Sequence, residues 1–70
     1  MRGEEEEMTL PVILPSSVTA VREAMGMNLS QFARYCQVTR QTVRNWERGR
    51  TEVEGPARVL LALLGEKFDV

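Results

Sequence analysis

The sequence predicts an all-α fold of four to five short helices that follows an extended N-terminal tail. Two observations support this fold class. Apolar residues recur at spacings near 3.6 over residues 16–64, and short segments that contain glycine, proline or a capping residue separate the periodic stretches. With 70 residues, 43% of them hydrophobic, the chain has room for one small core. We therefore expect a tail over residues 1–15 and one folded domain over residues 16–70.

The tail is expected to be flexible and acidic at its start. Residues 4–7 are four consecutive glutamates, which repel one another and have no apolar group to bury. The segment TLPVIL at residues 9–14 is apolar and β-branched, but Pro11 and the following Pro15 favour an extended segment at a sheet edge or against a partner. The alternative is a segment that packs loosely on the core.

The first helix is predicted to begin after a serine and to end before a glycine. Ser16 or Ser17 can act as the N-cap, and Gly26 follows the last periodic residue. The apolar face of this helix has four members: Val18, Val21, Ala24 and Met25.

The second helix is predicted to begin after Asn28, a favourable N-cap. Its apolar face carries Leu29, Phe32, Ala33 and Cys36. Since Cys36 is the single cysteine and the chain has no histidine, an intrachain disulfide is excluded and a structural zinc site lacks its usual ligands. We expect Cys36 to be a small buried hydrophobe.

The third helix is predicted between a Thr39 cap and Gly49, after a short connection at residues 37–38. Val43 and Trp46 stand at i and i+3 and anchor its inner face. Ala33 is small where the second helix is expected to cross the third closely. The polar residues of the third helix must then face outward: Arg40, Gln41, Arg44 and Asn45.

The fourth helix is predicted over residues 57–64, with Pro56 at its first position and a polar loop before it. Its apolar band is broad and contains Val59, Leu60, Leu63 and Leu64. Together with Leu61 and Phe68, this band is wider than one face of a small bundle requires. It is a candidate dimer interface, and the alternative is that all these side chains belong to the core.

Charge is segregated along the chain. The net charge is −1, yet residues 28–50 carry five arginines and one glutamate, a local charge of +4. A phosphate backbone responds to the field of the nearby surface, because salt screens charges beyond about 10 Å. No apolar run approaches the roughly 20 residues that span a bilayer. The sequence therefore predicts a soluble, cytoplasmic module with a basic face and no membrane partner.

Residues 28–49, NLSQFARYCQVTRQTVRNWERG, resemble the helix-turn-helix of phage Cro and repressor proteins, also called the Xre family. Several positions agree at fixed offsets: Asn28, Phe32-Ala33, Gln37-Val38, Thr39, Val43 and Trp46-Glu47-Arg48-Gly49. The start of the fourth helix, EGPAR at residues 54–58, is similar to antitoxin-like members. One position departs from the pattern, since Leu29 stands where the family commonly has a phosphate-contacting glutamine. Gln31 is the candidate substitute.

The resemblance implies a bundle of the phage-repressor type whose recognition helix, residues 39–48, enters the major groove of double-stranded DNA. The implied base contacts have side chains that suit base edges: Arg40, Gln41, Thr42 and Asn45. The expected phosphate contacts are Asn28, Ser30, Gln31, Thr39, Arg44, Arg48 and Arg50. The expected structural residues are Arg22, Phe32, Ala33, Val43, Trp46 and Glu47, with Arg22 and Glu47 as an ion pair between the first and third helices.

Two functions are open at this point. The first is a sequence-specific transcriptional regulator, a repressor that binds its operator as a homodimer. The alternative is an antitoxin whose tail or fourth helix masks a toxin protein while DNA binding autoregulates the operon. A merely solvated polar face would explain the outward residues without any partner. An enzyme is disfavoured because histidine is absent and the lone cysteine is expected to be buried, so no catalytic residue, cofactor, metal or small-molecule substrate is expected.

Overall fold

The computed structural model describes residues 12–70, which contain helices and no strand. The helices are α1 (Pro15–Ala24), α2 (Leu29–Cys36), α3 (Arg40–Arg48) and α4 (Pro56–Phe68). The all-α prediction is therefore confirmed for this part of the chain. The acidic segment and the first half of the TLPVIL segment, residues 9–11, lie outside the described residues. No helix within residues 12–70 is long and apolar enough to cross a membrane.

Helix α1 begins two to three residues earlier than a serine cap would place it. Its N-cap is Leu14, which has no side chain able to cap, and Pro15 occupies the first helical position. Proline has no N–H to leave unsatisfied and its fixed φ suits a first turn. The carbonyl of Leu14 accepts hydrogen bonds from the N–H groups of Ser17 and Val18 at 2.9 and 3.2 Å. The prediction that Ser16 or Ser17 caps α1 is wrong, because both serines lie inside the helix.

The buried face of α1 is narrower than predicted. Val18 and Val21 are buried and Met25 packs against the core, whereas Ala24 is exposed. At 100° per residue, Ala24 lies roughly 90° from the centre of the stripe formed by the other three side chains. The prediction that Ala24 belongs to the inward apolar face of α1 is therefore wrong.

Helix α1 is the central element of the domain. It packs against both α3 and α4, and α3 also packs against α2. All four helices contribute to a single hydrophobic core, and the loop before α4 adds one valine. The buried core side chains are Val18, Val21, Phe32, Ala33, Val43, Trp46, Val53, Leu61 and Leu64.

Helix α4 is longer than predicted, and only part of its apolar surface is buried. It runs to Phe68, and its buried residues are Leu61 and Leu64. Leu63 is 59% exposed and Val59 is 43% exposed, so the alternative that all the apolar side chains of this helix belong to the core is wrong. The reason is that α4 packs mainly on α1, and one neighbouring helix covers only one face.

The loop before α4 contributes Val53, which is buried. Its sequence, RTEVEG, is otherwise polar, and an isolated valine in such a loop carries no periodic signal. Its burial was therefore not predicted.

Cys36 is half-buried at the end of α2 and packs against the core. Burial raises the pKa of its thiol, so the neutral, less nucleophilic form is favoured. This environment is that of a packing residue.

Gly49 ends α3 in a left-handed conformation with φ 75°, which non-glycine residues adopt only at a cost. A Cβ at this position would lie 3.4 Å from Cγ of Pro15. The end of α3 and the beginning of α1 therefore lie close together, with little room for a side chain at this position.

Candidate nucleic-acid interface

Helices α2 and α3 form a helix-turn-helix with a three-residue connection. Gln37 adopts a left-handed conformation with φ 62°, and the N–H of Val38 donates to the carbonyl of Ala33 at 2.9 Å. A left-handed residue reverses the chain direction within the last turn of α2. Since glutamine pays roughly 1–2 kcal/mol for this conformation, packing of α3 on α2 must compensate for it.

The two faces of α3 differ sharply in burial. Val43 is completely buried and Trp46 is 6% exposed, on a helix that packs against both α1 and α2. On the opposite side Arg40 and Gln41 are exposed, and Arg44 and Asn45 are half-buried. The arrangement leaves one polar side of a nine-residue helix accessible.

The N-terminus of α3 is capped by Thr39. Its hydroxyl accepts the N–H of Thr42 at 3.1 Å, and the hydroxyls of the two threonines lie 2.9 Å apart. Thr42 is half-buried beside this cap, so its side chain is oriented before any partner binds.

On the accessible side of α3, two amide side chains bond to each other. Nε2 of Gln41 donates to Oδ1 of Asn45 at 3.0 Å. The residues are four apart in the helix, the spacing at which side chains become neighbours. Both residues are predicted base contacts, whereas the bond between them was not predicted, although the i, i+4 spacing was a usable signal.

Arg22 and Glu47 form a bidentate ion pair between α1 and α3. Nε of Arg22 lies 2.7 Å from Oε2 of Glu47, and Nη2 lies 3.3 Å from Oε1. The remaining terminal nitrogen, Nη1, donates to the carbonyl of Met27 at 3.1 Å. Their side chains are only 18% and 14% exposed. Arg22 thus joins α1, the connection before α2, and α3.

The hydrogen bond that Arg22 donates to Glu47 is the main cause that raises the pKa of Arg22, against the opposing effect of burial. Arginine is charged throughout the accessible pH range, so the pair does not depend on Arg22 titration. The pair also engages the one acidic side chain of residues 28–50. The contact with Met27 could not be foreseen, because a backbone carbonyl has no signature in the sequence.

Replacing Glu47 with glutamine is expected to lower the free energy of unfolding by about 1–2 kcal/mol, since the charged Arg22 then loses the opposite charge and one of its two oxygen acceptors in a shielded position. Urea denaturation followed by circular dichroism measures this loss. Glu23→Gln is the matched control, because Glu23 is exposed and acts on Arg22 only at longer range. Equal losses in the two variants would contradict a specific role for the pair.

The arginines of residues 28–50 are accessible. Arg44 is half-buried. The other four are exposed: Arg34, Arg40, Arg48 and Arg50. The chain follows the end of α3 closely, since the N–H of Arg50 donates to the carbonyl of Asn45 at 2.9 Å. This part of the surface therefore combines positive charge with the polar side of α3.

The N-terminus of α2 is closed by a reciprocal capping box. Oδ1 of Asn28 accepts the N–H of Gln31 at 2.8 Å, and Oε1 of Gln31 accepts the N–H of Asn28 at 2.9 Å. A phosphate contact by the Gln31 side chain would therefore compete with this cap. The N–H groups of Leu29 and Ser30, in the first turn, have no carbonyl four residues earlier in the helix to accept from them.

A shallow groove of about 500 Å³ lies beside this helix end. The groove is lined by Arg22 of α1, by the N-cap and first two residues of α2, and by the first residue of α3: Arg22, Asn28, Leu29, Ser30 and Arg40. Two of the predicted phosphate contacts, Asn28 and Ser30, thus share a groove with the predicted base contact Arg40. Within residues 12–70 no group of three or more histidine, cysteine, aspartate and glutamate side chains is placed to hold a metal ion.

Comparisons with known proteins agree with this geometry. Residues 18–56, more than half of the chain, match the helix-turn-helix family. Over 52 residues, 74% of the chain, the sequence is 36% identical to a protein named Antitoxin HigA-2 from Vibrio cholerae serotype O1. The chain spans about half the length of this relative, since the match covers 50% of it. No solved structure gives a significant match.

Proposed function

Because the chain belongs to the Xre-type helix-turn-helix family, it is a DNA-binding regulator, and we propose that it recognises a specific DNA sequence by placing α3 in the major groove. One observation carries the proposal. Helix α3 is anchored by Val43 and Trp46 on one side and presents polar side chains on the other, in the part of the chain that holds five arginines. The major groove, about 12 Å wide, admits a helix of this kind.

The proposed base contacts follow from hydrogen-bonding chemistry. Arg40 is suited to guanine, whose O6 and N7 both accept, and Gln41 and Asn45 are suited to adenine, which offers one donor and one acceptor. Thr42 presents a methyl group that matches the methyl group of thymine. Recognition of bases thus falls to four residues of α3.

The proposed phosphate contacts surround that face and position the protein without reading sequence. Arginines at the end of α3 and polar groups at the starts of α2 and α3 supply them: Arg44, Arg48, Arg50, Thr39, Asn28, Ser30 and Gln31. For the first turn of α2 the support is the pair of N–H groups at Leu29 and Ser30, which suit an anionic oxygen.

We further propose that the regulator acts as a homodimer through α4 and represses by covering a promoter. Val59 and Leu63 are exposed and lie one helical turn apart, so they form an apolar strip on the side of α4 away from α1. A dimer of helix-turn-helix domains reads two half-sites about 34 Å apart, which raises affinity beyond that of one small module. A cytoplasmic location belongs to the same proposal.

Selection of bound sites from a random double-stranded DNA library tests this function. We expect one enriched motif, arranged as an inverted repeat with half-site centres about 34 Å apart if α4 forms the dimer. Arg40→Gln should alter base preference within the motif, whereas Arg2→Gln, an equal loss of charge outside residues 28–50 and outside α4, should leave it unchanged. The absence of any enriched motif would contradict sequence-specific binding, and enrichment of single half-sites would contradict the dimer.

A second candidate is an antitoxin that binds a toxin protein and autoregulates its operon. The similarity to Antitoxin HigA-2 favours it, together with the EGPAR start of α4. Both candidates use the same DNA-binding surface and differ in the second partner. Co-purification of the chain with the product of the adjacent gene would support the antitoxin, and repeated failure to co-purify across several conditions would oppose it.

A further inference from the structure

The bond between Gln41 and Asn45 has a consequence for specificity. Nε2 of Gln41 and Oδ1 of Asn45 are joined at 3.0 Å on the accessible side of α3. We propose that the two amides act as one unit and read the same A·T base pair, with Gln41 and Asn45 each supplying one hydrogen bond. This inference rests on the proposed binding of α3 in the major groove.

The atoms outside the internal bond determine which base fits. Oε1 of Gln41 is an acceptor and Nδ2 of Asn45 is a donor, so the joined amides present one acceptor beside one donor. Adenine presents the complementary set in the major groove, a donor at N6 and an acceptor at N7. Guanine presents two acceptors, O6 and N7, and the first of these would face the Gln41 oxygen without a proton between them. The unit therefore prefers adenine to guanine.

The internal bond also makes the two residues depend on each other. A free glutamine or asparagine must lose rotamer freedom when it binds a base, which weakens the interaction. Here each amide restrains the other before DNA is present. Removal of either side chain leaves the amide of the other without a partner that fixes its orientation. We therefore expect removal of the second side chain to weaken DNA binding little further.

The alternative is that Gln41 and Asn45 each read a separate base with both of their own amide groups. The two arrangements differ in where specificity is lost. A joined unit relaxes preference at one base pair in both variants, whereas separate readers relax preference at two different base pairs and their losses multiply.

The experiment compares the full chain with Q41A, N45A and the double variant Q41A/N45A. Each is titrated against the sequence selected by the wild-type chain and against copies with one base pair replaced. We expect each single variant to bind the selected site about 5- to 150-fold more weakly and to lose discrimination at the same base pair. The double variant should be no more than about threefold weaker than the weaker single variant.

Arg48→Ala is the control, since a lost phosphate contact should weaken binding to every sequence alike. Circular dichroism verifies that the variants, which alter accessible positions, remain folded. Relaxed preference at two different base pairs, or multiplied losses, would overturn the shared reading while leaving the proposed function intact. A wild-type chain with no preferred sequence would overturn the proposed function and this inference together.

Discussion

Phe32→Ala is expected to lower the free energy of unfolding by about 3–5 kcal/mol. Phe32 is completely buried and is the largest such side chain in the core. Its removal costs the transfer free energy of the ring and leaves a cavity that the surrounding side chains fill only in part. A domain of this size has a stability of only about 3–10 kcal/mol, so the variant should be largely or wholly unfolded under mild conditions.

Urea denaturation followed by Trp46 fluorescence measures this effect, because Trp46 is itself in the core and reports its exposure. Tyr35→Ala is the matched control, since Tyr35 is an aromatic residue of the same helix that is 46% exposed. We expect the control to lose less than about 1 kcal/mol. Similar losses in the two variants would mean that Phe32 does not anchor α2 as the structure places it.

DNA binding by the wild-type chain is expected to weaken by about 1,000-fold between 50 and 200 mM salt. This loss follows if each protomer of the proposed dimer makes the three proposed arginine–phosphate contacts, since each contact releases about 0.9 counterions. The three are Arg44, Arg48 and Arg50. Since counterion release depends on contacts and not on net charge, the chain's overall charge of −1 does not oppose this result.

Arg48→Gln should reduce the slope of log affinity against log salt by about 0.9 for each protomer that makes the contact. Arg2→Gln removes the same charge outside the basic segment and outside α4, and should leave the slope unchanged. Fluorescence anisotropy titrations at four or more salt concentrations give the slopes. A slope near zero for the wild-type chain would refute binding through this surface, and equal changes in both variants would refute the assignment of Arg48.

The features that could be predicted are those that depend on neighbours in the chain. Asn28 and Thr39 were identified as caps because each accepts an N–H from three residues further on, and the structure shows both bonds. Gly49 could be placed after α3 because a left-handed residue there favours glycine. Local signals can also conflict. Pro15 and the two serines after it all favour a helix start, and the structure has Pro15 at the first helical position.

The features that could not be predicted depend on what each helix packs against. The apolar residues of α4 were recognised, but periodicity does not tell which of them a neighbour covers, so Leu61 is buried while Leu63 is exposed. Val53 is buried for the same reason, since a loop residue has no periodicity to reveal its position. The Gln41–Asn45 bond was not predicted, because the amide groups of both residues were considered only as partners for DNA bases and not as partners for each other.

By itself, the sequence determined the helical class, the caps of α2 and α3, and the polar composition of α3, because hydrogen bonding within one or two turns and the apolar spacing dictate them. Only the tertiary structure decided which face of α4 remains open, how Arg22 joins Met27 and Glu47, and that the amides of Gln41 and Asn45 meet. The physical reason is that burial and side-chain pairing are properties of the space between elements. That space exists only after the helices have packed.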